Sequence, residues 1–99
     1  MFLRPFLFVY DSWGLSRKNV LDFLDKCPEI KNWYAILPNS IIIITNRSVG
    51  DVAGLFRNKF KERQFILSEI PNNGYDGWLD KTVWDFVQYP KSADRWPEY

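Results

Sequence analysis

The chain has 99 residues, a formal net charge of +1, 46% hydrophobic and 18% aromatic residues, one cysteine and no histidine. The lack of histidine excludes Ser-His and Cys-His nucleophilic catalysis and His-ligated metal centres. The single cysteine excludes an internal disulfide or a multi-cysteine zinc site within one chain, which leaves carboxylate chemistry, alone or with a hard cation such as Mg²⁺.

The N-terminal run MFLRPFLFVYD is apolar, but Arg4 and Pro5 interrupt it and no small-residue cleavage site follows. It therefore reads as a strand rather than a leader. That strand spans Phe2 to Tyr10, with its firmest part at Phe6–Tyr10, and it is apolar on both faces, as a central strand is. Asp11-Ser12-Trp13-Gly14 leaves the strand. Ser16 is placed to cap a helix running to about Lys26, with Leu15 and Val20 spaced for a hydrophobic staple. Val20, Leu21, Leu24 and Cys27 form its buried stripe, Phe23 lies at the stripe's edge, and Pro28 stops the helix.

A hairpin follows. Trp33 to Leu37 and Ile41 to Thr45 are β-branched and aromatic runs, and Pro38-Asn39-Ser40 is the turn between them. Consecutive isoleucines at 41–44 do not alternate with polar residues, so this second run is also buried on both faces. Ser48 caps a second helix, with Asp51 in the capping-box position. Its apolar face is Val52, Leu55, Phe56 and Phe60. Gln64 to Ile70 forms a fourth strand with polar ends, as suits a sheet edge. After a turn at Pro71-Asn72-Asn73-Gly74, Asp80 caps a short third helix through about Val87, with Leu79 and Trp84 as its staple. Pro90 ends it. Residues 1–90 read as one domain and 91–99 as a tail.

This order predicts an α+β fold of the ferredoxin-like βαββαβ type, with a four-stranded antiparallel sheet in the order 4-1-3-2 and a C-terminal helical extension. The order places the first and third strands in the centre, where their double-sided apolarity already put them. Helices cover one face of such a sheet, so the other face needs a cover of its own. The C-terminal segment and a second copy of the chain are the candidates.

Tyr10-Asp11 at the end of the first strand, Trp33-Tyr34 through Ile44, the helix start at Ser48, Leu67 to Ile70, and Gly77-Trp78-Leu79 followed by Trp84-Asp85-Phe86 form a pattern across most of residues 6–87. The pattern resembles small bacterial and phage SinR-like proteins, related to the small CRISPR-associated ferredoxin-fold endonucleases. The resemblance implies a ferredoxin-like, dimeric protein associated with phage or defence. It also implies that Asp11 matches an aspartate linked, in the nucleases, to metal-dependent cleavage of nucleic acid. The chain departs from those nucleases at the start of its first helix, where only Arg17 and Lys18 are basic.

Each candidate site residue has two readings. Asp11 is either a Mg²⁺ ligand shared with a twin protomer or an Asx turn. Arg17 and Lys18 lie in a first helical turn, where cations oppose the macrodipole. They either meet a bound phosphate or are simply solvated. Arg57, Lys59, Lys61 and Arg63 form the most basic stretch, which contacts nucleic acid or is a solvated helix end. Trp13, Trp33, Trp78 and Trp84 either stack bases or pack in a core or an interface, the commoner fate of tryptophan, and Trp33, Trp78, Trp84 and Phe86 are the residues placed at an interface. Charge is uneven: the chain carries +4 through Arg63 and −3 beyond it. The leading expectation is a cytoplasmic, homodimeric, non-catalytic binding or regulatory module with no cofactor and no membrane span, and with nucleic acid or protein as partner. The alternatives are a metal-dependent endonuclease using Asp11 and Mg²⁺, and a protein-binding inhibitor that presents the acidic C-terminal part.

Overall fold

A computed structural model describes residues 2–93. The elements follow in the order β1 (Arg4–Tyr10), α1 (Arg17–Lys26), β2 (Asn32–Leu37), β3 (Ser40–Thr45), α2 (Val49–Lys59), β4 (Phe65–Glu69) and α3 (Lys81–Gln88). The four strands form one antiparallel sheet in the order β2-β3-β1-β4.

The isoleucine run of β3 organises this sheet. Successive side chains of a strand point to opposite faces, so Ile41 and Ile43 face one way and Ile42 and Ile44 the other. None of the four is more than 2% exposed. On the first face, Ile41 and Ile43 lie beside Phe6, Phe8 and Tyr10 of β1. Val20 and Leu24 of α1 and Val52 and Phe56 of α2 close over them. The ring centroids of Phe8 and Phe56 are 4.6 Å apart, joining sheet to helix. On the second face, Ile42 and Ile44 meet Val83 and Val87 of α3, flanked by Tyr34, Leu79 and Phe86. The C-terminal helix is thus a cover for the sheet.

That cover is partial. It lies over the β2–β3 half, where Tyr34 and Phe86 meet edge to face at 5.6 Å. On the β1–β4 half of the same face, Leu7 and Val9 are half-buried and Ile66 is 64% exposed.

Several boundaries differ from the sequence reading. β1 begins at Arg4 rather than Phe2. Ser40 belongs to β3 and not to the turn: a register shift between Ala35 and Leu37 brings Leu37 opposite Ser40, which leaves Pro38 and Asn39 as the turn. A bulge of this kind adds a residue to one strand without a turn signal. Asp80 starts α3, but its carboxylate accepts no capping hydrogen bond. Its backbone carbonyl accepts from the N–H groups of Val83 and Trp84 instead. The first residues of the expected tail lie along the β2 edge, where Ala93 N–H donates to the Lys31 carbonyl at 2.7 Å and Asn32 Nδ2 donates to the Lys91 carbonyl at 3.1 Å. The rest of that tail, 94–99, lies outside the described residues. No helix among the described residues is long and apolar enough to cross a membrane.

A candidate anion-binding groove

The helices α1 and α2 share the first face of the sheet, and a groove of about 690 Å³ runs between the outer side of α1 and the end of α2. Its apolar floor is Leu15, Phe23 and Phe60, and its rim carries Lys26, Lys59, Lys61 and Arg63. Asp22 also lines it, but the Asp22 carboxylate is held by Lys18 Nζ at 2.8 Å, one helical turn away. The Lys18 ammonium and its hydrogen bond keep that carboxyl below the usual carboxylate range.

The local sequence explains how these cations converge. Helix α2 ends at Phe60, whose apolar side chain turns inward against Phe23 at 5.3 Å. The chain then reverses. Arg63 N–H donates to the Phe60 carbonyl at 3.0 Å, and Glu62 takes a φ of 63°. A non-glycine residue in that left-handed conformation is uncommon and costs about 1–2 kcal/mol. The reversal returns Lys61 and Arg63 to the side on which Lys59 stands. The Lys59 ammonium lies 5.8 Å from the centre of the Phe23 ring, within reach of a cation–π attraction. Arg63 runs back to the loop after β1 and lies against Gly14.

Of the residues singled out from the sequence, Lys59, Lys61 and Arg63 share this groove. Arg57 is exposed on α2 outside its lining. Lys18 reaches it only through Asp22. Arg17 stands near Tyr10, where its charge opposes the burial that raises the phenol pKa. Lys26 belongs to the groove and was not singled out. It comes from the other helix, and only the packing of α1 on α2 brings it near the rest.

Asp11 behaves as the turn former. Its Oδ1 accepts from Trp13 N–H at 3.0 Å, its carbonyl accepts from the N–H groups of Gly14 and Leu15, and its own N–H donates to the Gln64 carbonyl at 3.0 Å. No group of three or more Cys, Asp or Glu side chains is gathered for a metal ion among the described residues. Tyr10, its neighbour in the sequence pattern, is buried and donates its hydroxyl to the Pro38 carbonyl at 3.0 Å, tying β1 to the β2–β3 turn.

The aromatic candidates divide. Trp33 packs against the first-face core and donates its indole N–H to Asp25 Oδ1 at 2.8 Å. Trp84 stacks on Tyr75 at 5.7 Å, and Phe86 belongs to the second-face cluster. Trp78 is 96% exposed, and so is Trp13, at 97%.

Fold and groove together define a small α+β protein with a four-stranded antiparallel sheet, helices on both its faces, and a cationic cleft beside its helices. No protein family, curated protein or solved structure matches the chain.

Proposed function

We propose that the chain is a non-catalytic, homodimeric binding module of the ferredoxin-like type that takes the phosphate backbone of a nucleic acid in its basic groove. The strand order β2-β3-β1-β4 supports that fold reading, being 4-1-3-2 taken from the other edge. One observation carries the ligand reading: four cations, from α1, the end of α2 and the turn after it, rim a single cleft whose one carboxylate among the described residues, Asp22, is paired with Lys18. Like charges gathered at one cleft repel one another, and a bound polyanion relieves that repulsion while releasing its own counterions. The apolar floor of Leu15, Phe23 and Phe60 supports the cation stems of the rim.

The test is fluorescence anisotropy with a labelled oligonucleotide over a salt series. Binding at low salt is expected to weaken log-linearly as salt rises. Replacing Lys59, Lys61 and Arg63 together with alanine should flatten the slope by about two, at roughly 0.7 per lost contact to a single strand. No binding at low salt, or an unchanged slope in the triple variant, would overturn the proposal.

A further inference from the structure

Trp13 is the most exposed large side chain among the described hydrophobics, at 97%. It is also firmly held at its backbone. Its N–H is bound by Asp11 Oδ1, and the same turn is closed by the Asp11 carbonyl accepting from Gly14 and Leu15. The Asp11 N–H to Gln64 carbonyl bond ties this loop to the chain just after Arg63. The next residue, Gly14, lies directly under Arg63: a β-carbon there would come within 2.8 Å of Arg63 Cδ and 2.9 Å of Nη1. The residue after that, Leu15, is part of the groove floor. A bare indole on a fixed turn therefore stands at the Arg63 end of a cationic cleft.

Leaving an indole in water is unfavourable, since the apolar ring gains about 25 cal/mol for each Å² it buries. Nothing about the turn requires a tryptophan. The Asx turn uses the backbone of position 13, and the fold makes no use of the ring. An aromatic face beside a strip of cations is the arrangement that holds a single-stranded nucleic acid, with phosphates on the cations and a base on the ring. A duplex offers no free base face to such a ring. The other indole left bare among the described residues, Trp78, lies between Tyr75 and Leu79, which belong to the cluster on the opposite face of the sheet, away from this cleft.

Building on the groove reading above, we infer that Trp13 is a base-stacking residue and that the ligand of the groove is single-stranded.

The test compares three labelled probes at low salt: an oligothymidylate of about 15 nucleotides, within the range such sites cover, an abasic oligomer of the same length, and a duplex of that length. The abasic probe keeps the phosphates and removes the bases. The parent protein is expected to bind the oligothymidylate about tenfold more tightly than the abasic chain, as one stacked base allows. Trp13→Ala should bring the oligothymidylate down to the abasic level, and Trp13→Phe should restore part of the difference. Because the ring is almost wholly exposed, circular dichroism melts of both variants should match the parent and exclude unfolding as the cause. Equal binding of thymidylate and abasic probes by the parent, tighter binding of the duplex, or no effect of Trp13→Ala would each overturn the inference. If the alanine triple at Lys59, Lys61 and Arg63 still flattens the salt slope in that event, the groove reading stands and only the stacking role of Trp13 falls. No binding of any probe would remove both.

Discussion

Arg63 lies across Gly14 so closely that a β-carbon on Gly14 would meet the Arg63 side chain at 2.8 Å. Two chain segments far apart in sequence, the loop after β1 and the turn after α2, are thereby brought into contact at one end of the basic groove. Gly14 does not have a left-handed φ, so alanine is compatible with its backbone and the only conflict is with a flexible, solvent-reaching side chain. Gly14→Ala should displace Arg63 and weaken oligonucleotide binding in the same direction as Arg63→Ala. Its urea-melt stability should stay within about 0.5 kcal/mol of the parent, as for other surface changes. A variant that binds as the parent does would show that Arg63 is not held in its groove position by this contact.

The isoleucine run offers a sharper test of the core. Ile43 and Ile42 point to opposite faces, and each is shut from water, Ile43 under α1 and α2 and Ile42 beneath α3. Neither direction offers a partner to a carboxylate. Burying an unpaired charge costs several kcal/mol against a total stability of about 5–15 kcal/mol, so Ile43→Asp and Ile42→Asp should each unfold the domain or leave it barely folded. Leu37, at the edge-strand end and 53% exposed, is the control. Leu37→Asp should cost less than about 1 kcal/mol. Denaturant melts of the three variants decide it, and a parent-like melt for Ile42→Asp would mean that α3 does not sit firmly on the sheet.

Those same residues show what was legible in the sequence. A β-branched run with no polar alternation has few fates other than a central strand, so β3 and its neighbour β1 are legible as central strands from residue type alone. The ends were less legible. Ser40 reads as a turn residue by type, yet the register shift opposite Ala35 and Leu37 draws it into the strand. Helix α3 could be located, but which surface it covers depends on Val83 and Val87 meeting Ile42 and Ile44 across more than 35 residues of chain, and no local pattern encodes that distance. The groove is tertiary in the same way. Lys59, Lys61 and Arg63 stood out as a basic stretch, whereas Lys26 and the floor residue Leu15 joined them only through helix packing. Trp13 could be named from the sequence as one of four tryptophans able to stack a base, but not told apart from the other three, because exposure is a property of what fails to pack against a side chain.

Cys27 gives a pH prediction. Its thiol is buried at the end of α1 and donates to Glu29 Oε1 at 3.3 Å. Burial first, and then the neighbouring carboxylate, push its pKa up from 9.0 to about 11. The folded state thus favours the neutral thiol. The stability that follows from this is fully present below the ordinary thiol value and is lost as pH rises through the folded one, between about 9 and 11. Burial raises the pKa of Tyr10 too, so it acts in the same sense at alkaline pH. Since the thiolate is the reactive form, a thiol reagent at mildly alkaline pH should label the native protein far more slowly than the protein in denaturant. Cys27→Ala should show a shallower loss of stability across that window. Equal labelling rates in the two states would contradict the buried, protonated thiol.

Val9 and Ile66 stand directly across from each other on β1 and β4, with Leu7 one pleat away on the same face. Helix α3 leaves this half of the sheet uncovered: Ile66 is 64% exposed, and Leu7 and Val9 are only half-buried. β4 is also an outer strand of the sheet, and such strands pair readily with another chain unless something blocks them. A second copy meeting the first here would cover the apolar strip and satisfy the free edge together. Three side chains fall short of the roughly 800 Å² per partner that a stable interface needs, so the strand edge has to contribute. The expected result is a dimer in sedimentation velocity at micromolar concentration, with dissociation strengthening on dilution. Ile66→Lys should shift the equilibrium to monomer. It should leave the melt of the diluted monomer nearly unchanged, because the side chain it replaces is mostly in water already. A parent that sediments as a monomer throughout would remove the homodimer from the proposed function and leave the basic groove as a monomer's site.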